Sequence, residues 1–87
     1  MAQDFKLTVY SMNFCPDCTQ VTRLLDEKGV DYTLIKIDED RAAGDLLEEK
    51  SGKRGVPFFV INEEEWWRAY QPGQGFDPSF VSDKLGL

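Results

Sequence analysis

The sequence has no histidine and only two cysteines, Cys15 and Cys18. Without histidine there can be no Cys-His or Ser-His pair, so any nucleophile must be activated by other means. A closed structural zinc site needs four Cys or His ligands, and this chain supplies two. Only a dimer pooling its cysteines, or carboxylates filling the gap, would complete such a site, and no metal site is expected. Long hydrophobic runs are missing as well. No stretch of about eighteen apolar residues occurs, and Met1-Ala-Gln-Asp-Phe-Lys6 lacks the apolar region of a signal peptide, so no membrane span is expected and the cytoplasm is the expected compartment. Two cysteines in a reducing compartment are not expected to be a permanent staple. Positive charge is scarce: ten Lys and Arg stand against sixteen Asp and Glu, a net charge of -6. Nucleic acid and anionic membrane both need a positive surface, so neither is an expected partner.

What remains is ordinary soluble-protein material, 41% apolar and 30% charged, in 87 residues. That length allows one domain, residues 1–87, with a single modest core. Phe5-Lys-Leu-Thr-Val-Tyr10 alternates and predicts a first strand, with Phe5, Leu7 and Val9 on one face. From Pro16 to Lys28 the spacing of Val21, Leu24 and Leu25 predicts a helix that Gly29 ends. Tyr32 to Ile37 is rich in strand formers, and adjacent Leu34 and Ile35 predict burial on both faces. A second helix is expected over about Asp40 to Lys50, with Ala42, Ala43, Leu46 and Leu47 on its inner stripe, slightly weakened by Gly44.

After the turn Ser51-Gly-Lys-Arg-Gly55, the run Val56-Pro-Phe-Phe-Val-Ile61 is the most apolar in the chain. Pro57 must stand at its start, because proline cannot donate to a central ladder. Asn62 to Glu65 reads as a hairpin turn, Trp66 to Tyr70 as a short strand with one indole on each face, Gln71 to Gly75 as a loop and Pro78 to Leu85 as a last helix. The order β-α-β-α-β-β-α demands a parallel pair with a right-handed crossover and adds an antiparallel hairpin, giving an α/β fold with a mixed four-stranded sheet flanked by helices.

The two cysteines occupy unlike positions. Cys15 falls at the N-cap of the first helix, with Pro16 at the first helical position, so unpaired amides and the positive end of the helix dipole favour a thiolate there. Cys-X-X-Cys sulfurs at helix starts titrate below the free value of about 8.5, and the thiolate is what attacks disulfides. Asp17 opposes this, since a neighbouring carboxylate disfavours a second negative charge. Cys18 shares the inner stripe with Val21 and Leu25 and is expected to point inward. On this reading Cys15 attacks and Cys18 resolves.

The motifs resemble those of the glutaredoxins, small thioredoxin-fold disulfide reductases, over nearly the whole chain. Cys-Pro-Asp-Cys18 is followed at the family's distance by Ser-Gly-Lys-Arg-Gly-Val-Pro57, and Gly75-Phe-Asp77 before the last helix is similar to the family's third element. The resemblance implies that Pro57 is cis and lies against the dithiol. It also implies that the Val56 backbone pairs with glutathione or a protein substrate like an added strand, that Arg54 binds a glutathione carboxylate and that Asp77 meets its amino group.

The sequence departs from the family pattern at Met12, where a basic residue is usual, at Asp17, where an aromatic is usual, and at Gln74, where a glycine is usual. Each implies weaker glutathione binding. Gly75-Phe-Asp-Pro78 also resembles the glutaredoxin-like hydrogen donors of ribonucleotide reductase, which draw electrons from thioredoxin reductase. The expectation is a monomeric thiol-disulfide oxidoreductase with no tightly bound cofactor. Its substrates would be protein disulfides or glutathione mixed disulfides, ribonucleotide reductase among them, and its donor glutathione or thioredoxin reductase. The alternatives are a carrier of a 2Fe-2S cluster held by Cys15 and two glutathiones, and a redox-silent peptide-binding module using the proline groove.

Overall fold

The alternating stretch at the amino-terminal side forms β1, Leu7–Ser11, in the computed structural model, which describes residues 5–70 and 77–87. The expected loop at Gln71 to Gly75, with Phe76, lies outside the described residues. The order continues through α1 (Pro16–Glu27), β2 (Thr33–Lys36), α2 (Arg41–Ser51), β3 (Phe58–Ile61), β4 (Glu65–Arg68) and α3 (Pro78–Leu85). The four strands form one sheet in the order β2-β1-β3-β4. β1 runs parallel to β2 and antiparallel to β3, which runs antiparallel to β4. This is the mixed sheet that the element order predicts and the thioredoxin-like fold that the resemblance implies.

Period-two alternation divides the core between the two faces of the sheet. Leu7, Val9, Phe59 and Ile61 pack with Val21 and Leu25 of α1 and Val81 and Leu85 of α3. Tyr10, Phe58 and Val60 pack on the other face with Ile37 and with Leu47 of α2. The tryptophans of β4 follow the same alternation. Trp66 stacks on Tyr10 at 5.5 Å between ring centroids, whereas Trp67 meets Phe59 at 5.5 Å and Phe80 at 4.8 Å. One indole therefore closes each half of the core at the β4 edge.

Two expectations about burial are corrected. Leu34 is not buried but 42% exposed, because β2 lies at the edge of the sheet and the cleft that Leu34 lines with Thr19 and Thr22 of α1 stays open. On α2, Ala42 is exposed and Leu46 is 38% exposed, while Gly44 is buried and Leu47 fully so. The helix turns its Ala43, Gly44 and Leu47 side to the sheet. Gly44 fits there because the Arg54 guanidinium lies against it, in the space a β-carbon would take.

Helix ends follow local chemistry. The Asp40 carboxylate accepts from the Ala43 amide at 3.1 Å and caps α2, and Gly52 closes that helix at φ 88°, a left-handed value that glycine adopts without steric cost.

Candidate active site

The carbonyl end of β1 turns through Met12, Asn13 and Phe14 into α1, and Cys15 stands at the N-cap with extended backbone, φ -108° and ψ 104°. Pro16 takes the first helical position, as its locked φ and missing N–H allow. The Cys18 amide donates to Cys15 Sγ at 3.2 Å, so one of the orphan donors of the helix start is aimed at that sulfur. The Thr19 amide and hydroxyl both donate to the Cys15 carbonyl, at 3.0 and 3.2 Å, which holds the first turn in register beneath it.

Cys15 and Cys18 are joined as a disulfide, with Cα atoms 5.2 Å apart. Their surroundings are unequal. Cys15 is partly exposed, whereas Cys18 is only 4% exposed and sits on the same face of α1 as Val21 and Leu25. Asp17, in the first turn, is partly exposed. A cleft of ≈ 230 Å³ opens beside the dithiol, lined among others by Met12, Phe14, Cys18, Thr22, Leu34 and Lys36.

Strand direction brings the proline segment to the same end of the sheet. Because β1 and β3 are antiparallel with Tyr10 opposite Phe58, the residues leaving β1 and those entering β3 emerge together. The Val56–Pro57 peptide bond is cis, Pro57 is fully buried, and its carbonyl accepts from the Ala69 amide at 3.2 Å. Val56 packs partly buried against the core on the α2 side of the sheet.

The two charged residues singled out by resemblance already have partners within the chain. Arg54 pairs with Asp45 and, at 3.9 Å, with Glu48, both on α2. Asp77 caps α3, accepting from the Ser79 amide at 2.9 Å. Pro78 lies in a cleft with Gln20, Arg23 and Leu24, so α3 starts alongside α1. Asn13 and Phe14 belong to no apolar period and the sequence pattern assigns them nothing. In the structure Asn13 carries several hydrogen bonds, and Phe14 has φ 59° with its side chain fully exposed. The signal that could have drawn attention to Phe14 is its place, an aromatic directly before Cys15. Among the described residues no group of three or more His, Cys, Asp and Glu is arranged to hold a metal ion, and no helix is long and apolar enough to cross a membrane.

Comparison with known proteins agrees with this geometry. The glutaredoxin family model matches residues 7–66, from β1 into β4. A glutaredoxin of Vernicia fordii is 39% identical over 58 residues, covering 63% of this chain and 56% of that protein. The chain thus spans little more than half the length of the first plant relatives it matches. The glutaredoxin-like protein NrdH of Escherichia coli K12 is 25% identical over 77 residues, covering 88% of this chain and 85% of that one. The solved structure of an Escherichia coli NrdH-redoxin superposes with a TM-score of 0.70 at 24% identity, over 90% of this chain and 92% of that chain. A buckwheat glutaredoxin solved with glutathione superposes with a TM-score of 0.66 at 25% identity, over 97% of this chain and 73% of that chain. With the family's model matched across the dithiol, the cis-proline segment and the sheet that joins them, the chain belongs to the glutaredoxin family.

Proposed function

We propose that the protein is a cytoplasmic dithiol oxidoreductase that reduces protein disulfides and glutathione mixed disulfides. The observation that carries this reading is the asymmetry of the two sulfurs: Cys15 is partly exposed and accepts a helix-start amide at 3.2 Å, while Cys18 is buried behind it. The amide and the helix dipole favour a thiolate at Cys15. That thiolate attacks one sulfur of the substrate disulfide, whose S–S bond breaks as the new bond to Cys15 forms, and the first substrate thiolate leaves and takes up a proton. Cys18 then loses its proton and attacks Cys15 Sγ, and the second substrate sulfur leaves as a thiolate and takes up a proton. The substrate has gained two electrons and two protons, and the Cys15–Cys18 disulfide is the oxidised product.

A thiol or dithiol donor returns the pair to the reduced form, and no tightly bound cofactor takes part. Val56 and cis-Pro57 would offer backbone to the substrate like an added strand, while Arg54 and Asp77 would meet the charged ends of glutathione. Glutathione would be a weak co-substrate and thioredoxin reductase the more efficient donor, because Met12 and Gln74 stand where the family usually carries a basic residue and a glycine. The Escherichia coli NrdH-redoxin, of the same fold, is described as having a thioredoxin-like activity profile, and ribonucleotide reductase is a candidate substrate on this reading.

The test is the fate of single-cysteine variants exposed to oxidised glutathione. Cys18→Ser should accumulate a mixed disulfide on Cys15, seen as added mass, and Cys15→Ser should lose disulfide reduction. Equal adducts on both variants would remove the assignment.

A further inference from the structure

The loop that delivers the dithiol is held by polar ties. Met12 and Phe14 are both exposed, so apolar burial fixes neither. Asn13 between them uses backbone and side chain together. Its amide N–H donates to Asp38 Oδ2 at 3.1 Å, and its Nδ2 donates to Glu39 Oε2 at 2.7 Å. Its Oδ1 accepts from Lys36 Nζ at 3.1 Å, and Lys36 in turn faces Glu39 at 3.9 Å. One asparagine thus ties the segment before Cys15 to the end of β2 and the turn after it.

The next residue bears the consequence. Phe14 has φ 59°, in the left-handed region that bulky side chains rarely occupy. Such a conformation persists only where the surroundings over-determine it, and the Asn13 ties supply that constraint on one side as Cys15, capping α1, does on the other. The result is a phenyl ring that stands fully exposed on the residue adjoining the partly exposed cysteine.

We propose that Asn13 is a positioning residue that holds Phe14 out as a substrate contact, selecting disulfides flanked by an apolar side chain. The inference rests on the dithiol reading above. A disulfide that reaches Cys15 Sγ brings its own neighbouring residues past position 14, and there the exposed ring offers apolar surface to an apolar neighbour. A small disulfide with no flanking residues has nothing to bury against that ring. Lys36, Asp38 and Glu39 act through Asn13 and need not touch the substrate.

The experiment uses the pre-reduced full chain, mixed with either a phenylalanine-flanked peptide disulfide or hydroxyethyl disulfide, and compares second-order rate constants. The readout is the ratio of the peptide rate to the small-disulfide rate. Phe14→Ala should lower that ratio about tenfold, as expected for losing part of a buried aromatic contact. Asn13→Ala and Glu39→Ala should lower it in the same direction. The double variant Asn13→Ala/Phe14→Ala should be no worse than Phe14→Ala alone, because Asn13 acts through the ring. An unchanged ratio in Phe14→Ala overturns the contact, and multiplicative losses in the double variant overturn the positioning role. A lowered melting temperature in Asn13→Ala with both rates falling together reduces Asn13 to a structural residue. If the unaltered reduced chain reduces neither disulfide, the dithiol reading fails and this inference fails with it.

Discussion

The hydroxyl of Tyr70 lies over the backbone of Gly55, where it leaves no room for a β-carbon, and the ring carbon bearing that hydroxyl would stand 3.3 Å from one. Tyr70 is itself held from behind. Its carbonyl accepts from Arg68 Nε at 3.0 Å, and the Arg68 guanidinium carbon lies 5.5 Å over its ring. The segment that follows β4 thus covers the turn leading into cis-Pro57.

Gly55→Ala should therefore destabilise the protein by about 1–3 kcal/mol, the usual effect of forcing extra volume into packed structure. Gly44→Ala provides the contrast. There the obstacle is the flexible end of Arg54, so a helix-propensity gain of about 1 kcal/mol offsets the loss of exposed ion pairs worth about 0.2–1 kcal/mol. Urea denaturation of the two variants should give a clear loss for the first and a near-neutral change for the second. A comparable loss in both would mean that Arg54 is as rigid as Tyr70.

On the proposed reading Arg54 would leave Asp45 and Glu48 to seat a glutathione carboxylate, and pairs this exposed are weak enough to release it. A charge-assisted hydrogen bond contributes about 1.5–3 kcal/mol. Arg54→Ala should therefore lower the ratio of glutathione-supported to thioredoxin-reductase-supported turnover about tenfold. Equal loss with both donors would assign Arg54 to stability.

Asp17 sits in the first turn of the helix that Cys15 caps. Asp17→Asn removes a negative charge close to the sulfur, which favours the thiolate, so reduced protein should be alkylated faster by iodoacetamide at mildly acidic pH. An unchanged or slower rate would place the carboxylate's field away from Cys15.

Burial pushes the Tyr10 hydroxyl above its ordinary 10.0, with the Asp40 charge adding to it. Tyr32 is raised too, first by burial and then by its hydrogen bond to Asp26 at 2.9 Å. A raised folded-state value means that the neutral hydroxyl's contribution is fully present below the unfolded value and is lost as pH rises from there through the folded one. Stability should accordingly decline above pH 10.0, and Tyr10→Phe should flatten that decline in urea titrations. The same slope in native protein and variant would show that another group governs the alkaline limit.

Features set by near neighbours in the chain are legible in the sequence. Cys15 as an N-cap followed by Pro16, Cys18 inward on the Val21 and Leu25 stripe, α3 over Pro78–Leu85 and the two indoles on opposite faces all follow from spacing within a few residues. They depend on helix and strand periods and on which backbone donors are left free, and the chain carries those locally. Other features needed the assembled sheet. Leu34 stays exposed because β2 ends up at an edge, and α2 turns Gly44 and Leu47 inward rather than Leu46 because Leu47 packs with Tyr10, Ile37, Phe58 and Val60 on that face of the sheet. The partners of Asn13 come from residues 36–39, and the left-handed Phe14 is held between those ties and the capping Cys15. Such contacts join residues distant in sequence, so no local period encodes them, and they exist only once the strands have paired.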